Sequence, residues 1–214
     1  MSSVAATSAR SPIGSFTPDL FASHLASVAT APAWWLERKR AAYEQFAALP
    51  LPRRTDESWR FSNIGALALD GFALRAAEKS TLAPFPVASA ASLTFVNNIA
   101  VAGTNAATKL PAGVIVATLA DALARHPDLL RHHFMARPQK PGSEKFAALH
   151  TALVRDGAFV YFPRGVTLSE PIVVVHAAAG AGSAVFPHTL VVAAENSKVT
   201  VIDYFAHNPD KIAA

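Results

Sequence analysis

The chain has 214 residues, 51% of them hydrophobic and 16% charged, enough to bury a real core in one large or two small domains. Against 15 acidic residues it carries 19 basic ones, a net charge of +4 with no basic stripe, which argues against a nucleic-acid-binding surface. The absence of cysteine excludes disulfides, thiolate nucleophiles and Cys-ligated zinc or iron–sulfur centres within this chain.

Residues 1 to 16 are small, polar and free of acids and read as a disordered lead-in. They contain no apolar core of a signal peptide, and no later stretch is apolar for long enough to span a bilayer, so a cytoplasmic protein without membrane contact is expected. Thr17-Pro18-Asp19 then starts a helix: a capping hydroxyl, proline at the first helical position, and an acid at the positive end of the dipole. Leu20, Leu25 and Val28 are expected to face the core. A second helix is expected from about Ala33 to Leu49, with Trp35, Tyr43 and Phe46 on one side. Glu37, Arg38, Arg40 and Glu44 fall mostly on the other side, so Arg38-Lys39-Arg40 reads as a solvated helix face. Leu49-Pro50-Leu51-Pro52 ends that helix, because each proline disfavours the α region before it and supplies no N–H.

The next stretch, Thr55 to Ile64, packs Asp56, Glu57, Trp59, Arg60 and Phe61 together. Asp56 and Glu57 fail as a catalytic carboxylate pair because neighbouring side chains diverge. Trp59 and Phe61 read instead as anchors, with an acid paired to Arg60. Residues 76 to 92, rich in Ala, Ser and Pro, mark a domain boundary. Beyond it, Leu93 to Val101 reads as β structure turning at Asn97-Asn98, and Val114 to Val116 as a strand. Thr118 leads into a helix over Leu119 to Ala124, Pro127-Asp128 starts another with Leu129, Leu130 and Phe134, and Arg137 to Gly142 is a loop.

Phe146, Leu149, Leu153 and Val154 form one helical stripe, with Ser143 as its N-cap and Gly157 as its stop. Short β-rich runs follow at Phe159 to Phe162, Val166 to Leu168, Ile172 to Val175, Leu190 to Val192 and Val199 to Phe205, separated by turn residues. Pattern alone fits a sandwich, a barrel or a solenoid.

No catalytic or metal-ligating residue is assigned. His126, His132 and His133 lack a carboxylate pattern to complete a ligand set. His176, His188 and His207 sit at strand ends, where stacking of strands would bring two of them together. Gly180-Ala181-Gly182 has neither the third glycine nor the following helix of a dinucleotide-binding turn. An enzyme on a β scaffold acting on carbohydrate is the alternative reading, and its candidate carboxylates are Glu170, Glu195 and Asp203.

Two stretches together resemble the SufB/SufD family of iron–sulfur cluster assembly proteins, the SufD branch in particular. The first runs from Trp35-Leu36 to Arg40, Phe46, Leu49-Pro50-Leu51-Pro52 and Asp56-Glu57-Ser58-Trp59-Arg60-Phe61. The second is Phe146-Ala147-Ala148-Leu149, Asp156-Gly157, Val160 to Val166 and Pro171-Ile172. His150, Asn98 and His188 depart from the family pattern, and no family role is carried to them.

The resemblance implies an α+β fold: an amino-terminal helical region followed by the first coils of a right-handed parallel β-helix. The units expected are 17 to 88, helical; 89 to 142, mixed; and 143 to 214, an incomplete start of the β-helix, as in an amino-terminal portion or a truncated member. It further implies a non-catalytic subunit that works with a SufB-like scaffold and a SufC-like ATPase, supporting cluster assembly or iron delivery. No cofactor is expected on this chain alone, and iron or a cluster would be held only in the assembled complex. A β-helix ending near Phe205 would leave an unpaired edge. Pairing with another chain, including a second copy, a cap formed by residues 206 to 214, or poor solubility is expected.

Overall fold

The computed structural model describes residues 11–76, 85–101, 110–137 and 140–207. Two helices open the fold, α1 (Pro18–Ser27) and α2 (Ala33–Ala48). Thr17 caps α1 as its sequence predicts, its hydroxyl accepting from Leu20 N at 3.3 Å. The face α1 buries is different from the expected one: Phe21 and His24 are buried, while Leu20 and Leu25 pack at its margin. The fold also begins before the cap, since Phe16 is buried and Ser15 N donates to Leu69 O at 2.9 Å. The lead-in therefore ends earlier than residue 16, and residues 1–10 lie outside the described residues.

Trp35, Tyr43 and Phe46 are buried along α2 as expected, but so is Lys39. The basic cluster is thus not a uniformly solvated face. Two 3-10 turns follow, at Glu57–Trp59 and Ile64–Ala66. Trp59 does anchor its segment, with Nε1 donating to Gly142 O at 2.7 Å and its ring meeting Phe146. Phe61 does not: its side chain is 89% exposed under the Arg60 guanidinium, which Glu57 pairs at 3.1 Å.

Strands β1 (Ala91–Val96) and β2 (Ile99–Ala100) form a hairpin through Asn97 and Asn98, both at positive φ as a tight primed turn requires. The boundary placed at residues 76 to 92 falls in large part on 77–84, outside the described residues. Next come β3 (Ile115–Thr118), α3 (Leu119–Arg125), α4 (Pro127–His133) and α5 (Glu144–Leu153). Ser143 occupies the N-cap position of α5 without a capping side-chain bond.

Strands β4 (Ala158–Phe162), β5 (Ile172–Ala178), β6 (Thr189–Ala193) and β7 (Val201–His207) complete the chain. They alternate between two sheets, ordered β2-β1-β5-β7 and β3-β4-β6. β4 pairs in parallel with β6 and β5 in parallel with β7, so no hairpin joins consecutive strands after Gly157 among the described residues. The run Val166 to Leu168 is not a strand; it forms an isolated parallel bridge, Thr167 to Lys198, that stacks one intersheet turn on the next.

The period of two along each strand sorts side chains between two cores. Ala158, Val160 and Phe162 face β5 and β1 between the sheets, while Phe159 faces the helices with Leu153, Leu130 and Phe186. Gly157 matters for close approach more than for ending α5, which has already stopped at Leu153. Ala158 N donates to His188 O at 2.8 Å, and a Cβ on Gly157 would collide with that carbonyl. Gly157→Ala is therefore expected to lower stability by about 2 kcal/mol or more through backbone displacement at the β4–β6 junction. Chemical denaturation of the two proteins checks this.

Candidate functional site

Reading the ladder from strand to strand places three columns on the inner face of the larger sheet: Ala91–Ile172–Val201, Leu93–Val174–Asp203 and Phe95–His176–Phe205. In the first two strands these positions are buried apolar residues or His176. In β7 two of these columns lie open, Asp203 being exposed and Phe205 62% exposed, while Val201 is half-buried against the core. In the other sheet the column Val160–Val191 behaves alike, with Val160 buried and Val191 39% exposed. These inward-pointing residues have no further strand above them among the described residues. The end of the intersheet core formed by Val191, Ala193, Asp203 and Phe205 is thus an apolar mouth on two open strand edges.

A polar bridge braces that mouth. His176 Nε2 lies 3.1 Å from Thr189 Oγ1 on β6 and 3.3 Å from Asp203 Oδ1 on β7, and Thr189 Oγ1 donates to Asp203 at 3.3 Å. The His176 ring is stacked between Phe95 and Phe205 at 5.3 and 5.5 Å. Burial lowers its pKa and Asp203 opposes that shift. The trio is no hydrolytic triad, because the hydroxyl and the acid meet the same imidazole nitrogen and cannot relay a proton through the ring. Its role is to tie the two sheets at their open end.

Behind the sheets a buried basic cluster joins them to the helices. The Lys39 ammonium donates to Thr151 O at 3.5 Å, Ala152 O at 3.2 Å and Val154 O, and stands 3.3 Å from His24 Nε2. These are the orphan carbonyls at the end of α5. Lys145 on α5 returns the favour to α2, donating to Phe46 O at 2.7 Å and Leu49 O at 2.6 Å. The two antiparallel helices therefore cap each other's carboxyl ends with a lysine each. His150 Nε2 and His188 Nδ1 meet at 3.0 Å, so two positions that depart from the family pattern are one contact in space. Desolvation by burial, then neighbouring positive charge, lowers His24 and His188 to about 3 and His150 to about 4. Burial brings Lys39 down to about 7.

The residues weighed from sequence are mostly structural. Asp56 Oδ2 accepts from Arg53 N at 2.8 Å, and Glu57 is committed to Arg60. His132 and His133 are exposed on the last turn of α4 and His126 sits at its start. Of the three strand-end histidines, His188 meets His150 rather than His176, and His207 ends β7. No group of three or more His, Asp or Glu could hold a metal ion among the described residues. Gly180 and Gly182 turn at positive φ into an extended segment with no helix after it. Glu195 pairs with Arg164 at 3.3 Å and Asp203 with His176, so the carbohydrate-enzyme reading finds no carboxylate pair and is not supported. No helix among the described residues is long and apolar enough to cross a membrane.

The family described as "SufBD protein N-terminal region" matches residues 17–174. The chain belongs to the SufBD family. It is 30% identical over 182 residues to the iron–sulfur cluster assembly protein SufD of Bacillus subtilis (strain 168), covering 81% of this chain and 42% of that protein. A SufBD family iron–sulfur cluster assembly protein of Synechocystis is 25% identical over 180 residues, covering 79% of this chain and 39% of the relative. The match to Bacillus subtilis SufB is 29% over 91 residues, covering 42% of this chain and 19% of SufB. This SufBD chain thus spans less than half the length of these curated relatives. Their descriptions are of assembly proteins, and the membership supports a role in iron–sulfur cluster assembly. The mutual lysine caps were not legible beforehand, since a lysine in a basic run signals solvent; an unpaired edge near Phe205 was expected, and the residues that line it follow only once register is known.

Proposed function

We propose that this chain is a SufD-like, non-catalytic subunit of a cytosolic iron–sulfur cluster assembly complex, acting beside a SufB-like scaffold and a SufC-like ATPase. The similarity to SufD over 81% of the chain carries this reading. The strands from β4 onward are the first coils of a right-handed parallel β-helix, a reading supported by their alternation between two sheets and by parallel pairing of every second strand. These 214 residues offer a cluster no thiolate, so any sulfur ligand for iron or a nascent cluster as cargo comes from outside them. The mouth at Val191 and Phe205 lies open among the described residues and is a surface on which further coils or another chain can continue the core.

Co-expression with the SufB-like and SufC-like proteins of the same organism, followed by affinity purification, tests both parts. A stable complex is expected, and Phe205→Asp, which sets a second carboxylate beside Asp203 at the mouth, is expected to weaken it at least tenfold, about 1.4 kcal/mol. Failure of the full-length protein to bind either protein refutes the assembly role. A complex indifferent to Phe205→Asp removes only the mouth from it. Sedimentation of the chain alone reports self-association through the same end.

A further inference from the structure

A cleft of about 650 Å³ opens where the α1–α2 turn, the β1–β2 hairpin and α3 converge. That size falls within the range of roughly 300–1,000 Å³ typical of small-molecule sites. Its lining is mixed: Val28, Pro32, Leu123 and Ala124 form an apolar part, Ser27, Thr30 and Asn98 add polar groups, and two charged residues, Arg155 and Asp156, stand at the exit of α5.

The two charges are not equivalent. Asp156 Oδ1 accepts from Ala120 N at 3.1 Å and from Gly157 N at 2.8 Å, which commits it to the start of α3, and burial raises its pKa. Arg155 is exposed and has neither a hydrogen bond nor an ion pair among the described residues, although its charge is felt at His24. The cleft thus offers a partly apolar lining and one uncommitted guanidinium.

The geometry points to a binding site for a small organic acid, its apolar body, such as a ring, held between the α1–α2 turn and α3 and its carboxylate or sulfonate on Arg155. Ring burial supplies the affinity, and the charge-assisted bonds to the guanidinium supply the orientation. A neutral ring forgoes those bonds. An inorganic anion forgoes the walls.

Fluorescence titration of the whole chain tests this with two probes, anionic 8-anilinonaphthalene-1-sulfonate and its neutral counterpart N-phenyl-1-naphthylamine. The wild-type protein is expected to bind the anion at one saturable site. Ala124→Trp, which fills the cleft from α3, is expected to weaken that binding at least tenfold. Arg155→Gln is expected to weaken the anion about tenfold while leaving the neutral probe within about twofold, since a charge-assisted pair is lost and the walls remain. Undiminished anion binding by Ala124→Trp, or equal loss of both probes in Arg155→Gln, overturns the assignment. Ala120→Trp, on the same wall, repeats the occlusion should Ala124→Trp fail to fold.

Discussion

Lys39→Ala is expected to lower the unfolding free energy by about 3 kcal/mol, the sum of a small cavity and of carbonyls left without a donor. The side chain is 1% exposed and its ammonium is the shared partner of Thr151 O, Ala152 O and Val154 O. The last carbonyls of a helix have no intrahelical donor, and at a position this buried an unpartnered carbonyl is costly. Burying a charge is costly, so the result depends on which effect is larger. Lys39→Met separates them, because methionine keeps most of the stem's volume but donates nothing. It is expected to recover less than half of the loss seen with alanine. Equal stability of Lys39→Met and wild type in urea titrations would mean that relief of the buried charge cancels the lost cap.

Acid is expected to unfold the chain well above the pH at which its surface carboxylates titrate. His24, His150 and His188 are held neutral in the fold, at about 3, about 4 and about 3, against an ordinary value of 6.5. Between those values and 6.5 the unfolded chain binds protons that the folded chain refuses, so stability falls as the pH drops through this window. Above pH 6.5 both states carry neutral imidazoles and the effect vanishes. Lys39, Arg155 and His176 face these rings with positive charge or compete for it, which deepens the penalty. Three such groups amount to a loss on the order of 10 kcal/mol by pH 4, comparable with the whole stability of an ordinary domain. Denaturant midpoints at pH 7 and pH 5 measure it, and His188→Gln is expected to flatten the dependence. A midpoint unchanged over that range would show the rings to be hydrated in solution.

The elements themselves were legible because their signals are local. Thr17 and Thr118 cap the helices they precede, the double proline after Leu49 ends α2, and Asn97-Asn98 turns a hairpin, each through residues within one turn of chain. The same local logic misplaced Lys39 and Phe61. A cation amid Arg38 and Arg40 signals solvent unless a helix end elsewhere needs a donor, and an aromatic beside Trp59 signals burial unless the backbone turns it outward. His150 and His188 were noted separately as departures from a family pattern, and nothing in a single sequence joins positions so far apart.

Residue types and their spacing thus determined the helices, the strands after Gly157, the lack of any thiol and the kinship with SufB/SufD proteins. Only the tertiary structure decided that those strands alternate between two sheets, that two lysines close each other's helices, and that Phe205 and Val191 lie exposed at one end of the intersheet core. The reason is physical: hydrogen-bonding propensity and periodicity act between near neighbours, whereas register, burial of a charge and the openness of a sheet edge depend on which distant groups fold against one another.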